Sequence, residues 1–397
     1  MAFVSDLFVN SWNWIAVKLA RFLPPWAIEL VMMFAGVVIL IAFLLFIVML
    51  LTLLERKVVA RIADRIGPNR VGPFGILQPL ADTLKLIIKE NTEPAQADHW
   101  VFRLAPAVAV TAALMPYAVI PLGRGMVGTD INVGVLYVVS ISSLTVIAIL
   151  MAGWGGCNKY SLLGGMRAVA QMFSFEVPLA LCLVSVTLLT GSLSLVSITE
   201  AQRGLWLVLV QPVGFLLYLL CGIAEANRSP FDIPEAESEL VAGYHTEYSG
   251  VRFAFFFMAE YINMFTVSAM ATIMFLGGWR GPFVDQIPVL SVGYFLIKVH
   301  FLVFLMFWFR ATFPRLRIDQ LLSLSWKVLL PIALANLMLT ALVDKVAHQA
   351  GLSRMASAGL LLGSNLVLAG VAITILYLVY ERRRAPSLSR RYEIHWH

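Results

Sequence analysis

Charged side chains are scarce in this chain. Asp, Glu, Lys and Arg make up 13% of its 397 residues, about half the share found in a soluble globular protein. With a mean hydropathy of +0.85, that scarcity excludes a soluble fold and leaves an all-α polytopic membrane protein. Cysteine is sparse too. Cys157, Cys182 and Cys221 form no CxxC pair and have no metal-ligand spacing. The chain therefore offers no disulfide framework, no iron–sulfur ligands and no metal site. The net charge is +6, but in a membrane protein the placement of Lys and Arg decides topology, and no nucleic-acid partner is expected. A signal peptide is not expected either: Asp6 precedes Lys18 and Arg21, and Pro24-Pro25 follow them.

About 20 apolar residues cross a bilayer as a helix. Nine segments qualify: 27–53, 102–122, 131–153, 169–190, 203–224, 253–277, 288–310, 327–348 and 356–380. Residues 1–26 precede them as an extracytoplasmic segment. Residues 27–348 form an eight-span domain with loops 54–101 and 225–252, and 349–397 add a ninth span and a basic tail. Lys and Arg sort between the two faces. Lys18, Arg21, Arg124, Arg203, Arg280, Lys345 and Arg354 fall on one side, and Lys298 lies inside a span. The remaining basic residues share the face that carries both long loops and the tail. The positive-inside rule makes that face cytoplasmic, with the N-terminus outside and the C-terminus inside.

In the first loop, Gly67-Pro68 and Gly72-Pro73 are turn signals. Residues 76–90, ILQPLADTLKLIIKE, then read as an amphipathic helix. Leu77, Leu80, Leu84 and Ile87 form one stripe, and Gln78, Asp82, Lys85 and Lys89 the other. Such a helix lies in the membrane interface, as a topology anchor or as the wall of a cavity that opens there.

The second loop, EANRSPFDIPEAESELVAGYHTEYSGVR, concentrates Glu225, Asp232, Glu235, Glu237, Glu239 and Glu247 beside the membrane. Two ionised groups about 4 Å apart repel by about 4 kcal/mol at an effective dielectric near 20. A cluster so dense tends to hold protons near neutral pH and to respond to any new charge nearby. Asp232 and Glu235 resemble a capping box with Pro234 in the first turn, so a short helix is expected to run to about Tyr244. Phe231, Ile233, Leu240, Val241, Tyr244 and Tyr248 argue that the loop packs. Glu176, Glu260, Lys298 and His300 fall within spans, where ionisable groups are costly. Glu260 and Lys298 can pair. Alternatively, Glu225, Glu176 and Glu260 form a proton path whose acids Lys298 tunes.

Five segments carry a resemblance: ERKVVARIADRIGPNRVGPFGILQPLADTLKLIIKE, RAVAQMFSFEVPLAL, the acidic loop, FFMAEY and FRATFPRLRIDQLLSLSWK. Over residues 27–345 the chain resembles the subunit 1 family of respiratory complex I, the NADH:quinone oxidoreductase, in its bacterial form. The resemblance implies a membrane subunit that is not catalytic alone. It would form the chamber for ubiquinone or menaquinone at the junction with the peripheral arm and would couple quinone reduction to proton translocation. Partner subunits would carry the iron–sulfur clusters and FMN, and this chain would bind no cofactor of its own. Its partners would be the peripheral quinone-module subunits, adjacent membrane subunits and the lipid bilayer of the bacterial cell. The resemblance assigns Glu55, Arg56, Arg65, Asp82, Arg228 and Asp232 to the quinone chamber. It assigns Glu225, Glu235, Glu237, Glu239, Glu247, Glu176 and Glu260, with Lys298, to the proton path. Arg310, Arg315 and Arg317 fall at the interface with the peripheral arm. The ninth span departs from the common eight-span pattern. Two other readings are a quinone-independent membrane subunit of a hydrogenase and a stand-alone proton-coupled transporter. The latter would need a pair of discontinuous helices, and hydropathy reveals none.

Overall fold

A computed structural model of the chain describes residues 10–12, 14, 17, 18, 20, 24–233 and 241–393, with side chains to residue 378. Helices α1 (Pro25–Ile62), α2 (Gln78–Ile88), α3 (His99–Leu114), α4 (Gly134–Gly155) and α5 (Lys159–Thr190) come first. Short helices α6 (Leu195–Ala201) and α7 (Leu207–Val210) lead into α8 (Pro212–Glu225). Then follow α9 (Gly250–Phe275), α10 (Leu290–Thr312), α11 (Ile318–Leu324), α12 (Leu330–Gln349) and α13 (Arg354–Glu393). Among the described residues, eight helical segments are long and apolar enough to cross a membrane. This is an all-α polytopic membrane protein.

One of the nine expected spans is broken. Residues 203–224 do not form a continuous helix: α7 stops at Val210 and α8 begins at Pro212, leaving 14 residues. The cause is local. Proline has no N–H to continue the ladder and disfavours helical geometry in the residue before it, and Gln211 sits at φ −128°, ψ 65°. This is also the discontinuity that hydropathy did not reveal. A second irregularity is a π turn at Ser325–Leu329, between α11 and α12.

Helix α5 starts ten residues before the expected span. Asn158 caps its start through Tyr160 N, and Gly191 at φ +66° ends it in the left-handed region. α8 lies antiparallel to α5. Gln171 donates to Ala224 O at one end, and Ser185 donates to Gln211 at the other. Of the eight long segments, α9 is the most buried and α13 the least. α9 packs on α1, α2, α3, α8 and α10, so residues on the half that follows the acidic loop face several elements at once. The 40-residue α13 runs back along α12, α8 and α7.

The interfacial helix forms as expected and packs on α1 and α9. Leu77, Leu80, Leu84 and Ile87 remain exposed, which suits a stripe turned to lipid. The helix expected between Asp232 and Tyr244 falls largely on residues 234–240, outside the described residues. Its far end, Gly243–His245, is a single 3-10 turn. That turn is fixed to the bundle. Tyr248 stacks on Phe102 at 4.2 Å and donates its hydroxyl to Phe102 O.

Candidate functional site

The last turns of α1 carry the first half of the site. Glu55 and Arg56 are neighbours on the helix and diverge by a third of a turn, so they serve different partners. Glu55 is buried, with its side chain 7% exposed. Arg310 from the end of α10 pairs with it, and Arg228 Nη1 lies 3.4 Å from both carboxylate oxygens. Tyr261 of α9 donates its hydroxyl to Glu55 at 2.7 Å. Arg228 also lies 3.7 Å from Glu260 and places its guanidinium 4.2 Å from the Tyr261 ring centre. Two carboxylates and two guanidiniums therefore balance in one buried knot drawn from four segments. Charges so placed persist only when paired and hydrogen-bonded.

Arg56 turns the other way and meets Asp82 of α2 at 2.5 Å, where Gln78 also donates to Asp82. This pair ties the interfacial helix to α1. On the far side of the knot, Asp232 pairs with Arg315 at 3.0 Å. Arg65 and Arg317 are exposed and stand apart from both clusters.

The acidic side is organised by Gln171 of α5, a fully buried amide. It donates to Ala224 O at 2.8 Å, Asn227 Oδ1 at 3.2 Å and Phe231 O at 2.7 Å. This holds the chain just after α8 against α5. Glu225 there receives the Ser142 hydroxyl and faces Glu176 electrostatically. Glu176 in turn accepts from Ser143. Glu247 accepts from Asn158 Nδ2 at 2.7 Å. Glu235, Glu237 and Glu239 lie outside the described residues.

Lys298 lies elsewhere. Its Nζ donates to Leu276 O, Gly278 O and Arg280 O at 2.7–3.1 Å and stands over the Trp206 ring. It therefore caps the end of α9 opposite the acidic loop, and Arg228 takes the Glu260 contact expected of it. His300 bonds within its own helix, to Leu296 O.

Sequence reasoning passed over several contributors. Gln171 and Tyr261 sit inside segments already singled out, and a buried amide in an apolar span was the available signal. A second network joins the α2–α3 loop to the start of α9. Glu93 binds Arg103, Arg252 and His99. The bonds from Arg103 and then Arg252 pull its carboxyl down to about 2. His245 is buried against Tyr244, Phe253 and Phe256. Burial holds its imidazole neutral, down to about 3.

The family profile described as NADH dehydrogenase matches residues 35–341. That stretch contains every pair just described in the knot, the interfacial tie and the acidic loop. The chain belongs to the NADH dehydrogenase family. The NADH-quinone oxidoreductase subunit designated H in Bacillus cytotoxicus is 52% identical over 296 residues, covering 74% of this chain and 88% of that protein. The protein of the same name from Brevibacillus brevis is 48% identical over 331 residues, covering 83% and 97%. That of Anoxybacillus flavithermus is 51% identical over 296 residues, covering 74% and 88%. Like these family members, the chain is a membrane subunit of an oxidoreductase, not catalytic alone. All of α13 lies beyond the residues that the family profile matches.

Proposed function

We propose that this chain forms the quinone chamber of a proton-pumping NADH:quinone oxidoreductase, at the junction of the membrane and peripheral arms. The carrying observation is the knot on Glu55, built from α1, the acidic loop, α9 and α10. It lies one residue from the Arg56–Asp82 tie to an interfacial helix whose apolar stripe is open to lipid. A lipid-soluble quinone would pass beside α2 and meet the polar wall of Glu55, Arg56, Arg65, Asp82, Arg228 and Asp232. Electrons would come from iron–sulfur clusters, supplied by FMN, in partner subunits of the peripheral arm. The Arg310, Arg315 and Arg317 end of the chamber would face that arm. Loops 54–101 and 225–252 would be cytoplasmic, with the N-terminus outside and the tail inside the bacterial cell membrane. Residues 27–348 would act as one chamber domain.

Quinone reduction would change the charge facing the acidic loop. The loop would then exchange protons through Glu225, Glu247, Glu176 and Glu260, and through Glu235, Glu237 and Glu239. Glu260 joins this path to the knot because it shares Arg228 with Glu55. Moving one charge against 100 mV takes about 2.3 kcal/mol, and a change of two pKa units supplies about 2.7 kcal/mol.

The test replaces Glu225 or Glu239 with Gln in the assembled complex and measures quinone reduction and proton pumping together. Pumping should fall more than reduction. Full pumping in both variants would rule out the acidic relay. A photoreactive quinone analogue should label residues around Asp82, and labelling only elsewhere would rule out the entrance beside α2.

A further inference from the structure

The interfacial helix α2 has little burial to hold it in place. Pro79 is its single buried residue, and its leucine stripe is exposed. Its position is therefore set by what grips it. Asp82 ties its first half to Arg56 of α1. The other grip lies just past its end, where residues 89–93 meet residues 248–252, the junction of the acidic loop with α9.

The second grip is dense. Ser249 inserts its hydroxyl into the backbone after α2: it donates to Glu90 O at 3.1 Å and accepts from Thr92 N at 3.0 Å. The Thr92 hydroxyl stands 2.9 Å from the same oxygen. Gly250, at φ +56°, lets the two chains close up. A Cβ there would stand 2.6 Å from Asn91 Oδ1 and 2.9 Å from Lys89 O. Glu93 then fastens the contact. Arg103 of α3 reaches it with two bonds, at 2.9 and 3.1 Å, and Arg252 of α9 pairs with it as well. His99 Nδ1 lies 3.0 Å from its other oxygen. Arg252 stands in the first turn of α9, where the helix dipole disfavours a cation, and Glu93 supplies the charge that answers it. Tyr248, next to Ser249, is itself held by Phe102 of α3.

We propose that residues 89–93 and 248–252 form a clip, fastened by Glu93 as a positioning residue, that makes α2 and the end of the acidic loop move as one body. Charge-assisted bonds are about twice as strong as neutral ones, and the close approach at Gly250 leaves no slack between the two segments. A displacement of α2 therefore arrives at Ser249, two residues from Glu247, undiminished. The functional consequence rests on the reading of α2 as the border of the quinone entrance. The clip itself does not.

The experiment measures amide hydrogen exchange in the whole complex in lipid, native and Glu93→Ala. Exchange should become roughly tenfold faster over residues 78–88 and 241–252 together. Faster exchange in one segment alone, or in neither, would overturn the proposal. A second variant, Thr92→Cys with Ser249→Cys, places a reversible lock across the clip. Its oxidised form should reduce quinone no more slowly than its reduced form, because the two segments do not part during turnover. A several-fold slowing on oxidation that reductant reverses would overturn the proposal, since it would mean that the clip must open. In the Glu93→Ala background, oxidation should return both segments to native exchange and reverse a raised KM for long-tailed quinones. An unchanged KM beside coupled exchange would remove the entrance from α2 and leave the clip standing. The exchange of Glu93→Ala decides on its own if the cysteine pair does not oxidise.

Discussion

Gly164 of α5 and Gly243 of the acidic loop meet backbone to backbone. A Cβ on Gly164 would lie 2.5 Å from Gly243 Cα, closer than any carbon pair tolerates, and no flexible side chain is there to yield. Replacing Gly164 with Ala should therefore lift the loop from α5 at an overpacking cost of about 1–3 kcal/mol. Quinone reduction should drop in membranes that still contain assembled complex. Unchanged turnover with Gly164→Ala would show that the loop can move without consequence.

Glu55 should be the least replaceable carboxylate in the chain. Deleting one member of a buried ion pair leaves its partner uncompensated, at about 3–5 kcal/mol. Here Arg228 and Arg310 would both lose Glu55. Glu55→Ala should lower the melting midpoint of the complex and abolish quinone reduction. Glu55→Gln should be milder because it can still accept from Tyr261. Equal behaviour of the two variants would mean that charge balance is not what the knot provides.

Arg56 and Asp82 should behave differently, because they are 48% and 27% exposed. An exposed pair couples by about 0.2–1 kcal/mol, so a double-mutant cycle should give a value in that range and no folding defect. The functional effect should exceed the stability effect. Arg56→Ala and Asp82→Ala should each raise KM for long-tailed quinones more than for short-tailed ones. A uniform loss in kcat would point away from a role at the entrance.

His245 gives a pH signature. Its folded-state value is lowered to about 3 from an ordinary value of 6.5, so the unfolded chain binds the proton first. Stability is therefore full above about pH 6.5 and is lost as pH falls towards 3, by about 1 kcal/mol at pH 5.5. Glu93, also lowered, to about 2, keeps its contribution down to about 4.5 and loses it below. Other groups titrate between pH 6.5 and 5.5 in both proteins, so the histidine is read as the difference between them. The melting midpoint should fall further over that interval in the native complex than in His245→Phe.

Much of this was legible in the sequence, for physical reasons that also explain the misses. Hydropathy located the long helices because lipid demands apolar surface from each of them. It failed at residues 203–224, where Gln211-Pro212 breaks the ladder without making the segment less apolar. It placed the start of α5 ten residues late because Lys159, Ser161 and Arg167 look like loop residues. Ser161 and Gln171 are in fact buried against the acidic loop and its neighbours. Glu55, Asp82, Arg228 and Glu260 could be singled out, but not paired. Which cation meets which carboxylate depends on how four distant segments cross, and the expected Glu260–Lys298 contact gave way to Glu260–Arg228 for that reason.

The length of α1 has a mechanical consequence. Its apolar run from Leu30 to Leu54 rises about 37 Å, more than the roughly 30 Å of a hydrocarbon slab, so a straight rod must lean to hide it. Glu55 comes directly after that run, while Arg310 is anchored on a different rod. Bilayer thickness therefore sets how well the two line up, and lipids with shorter or longer tails should retune the chamber without touching a single residue.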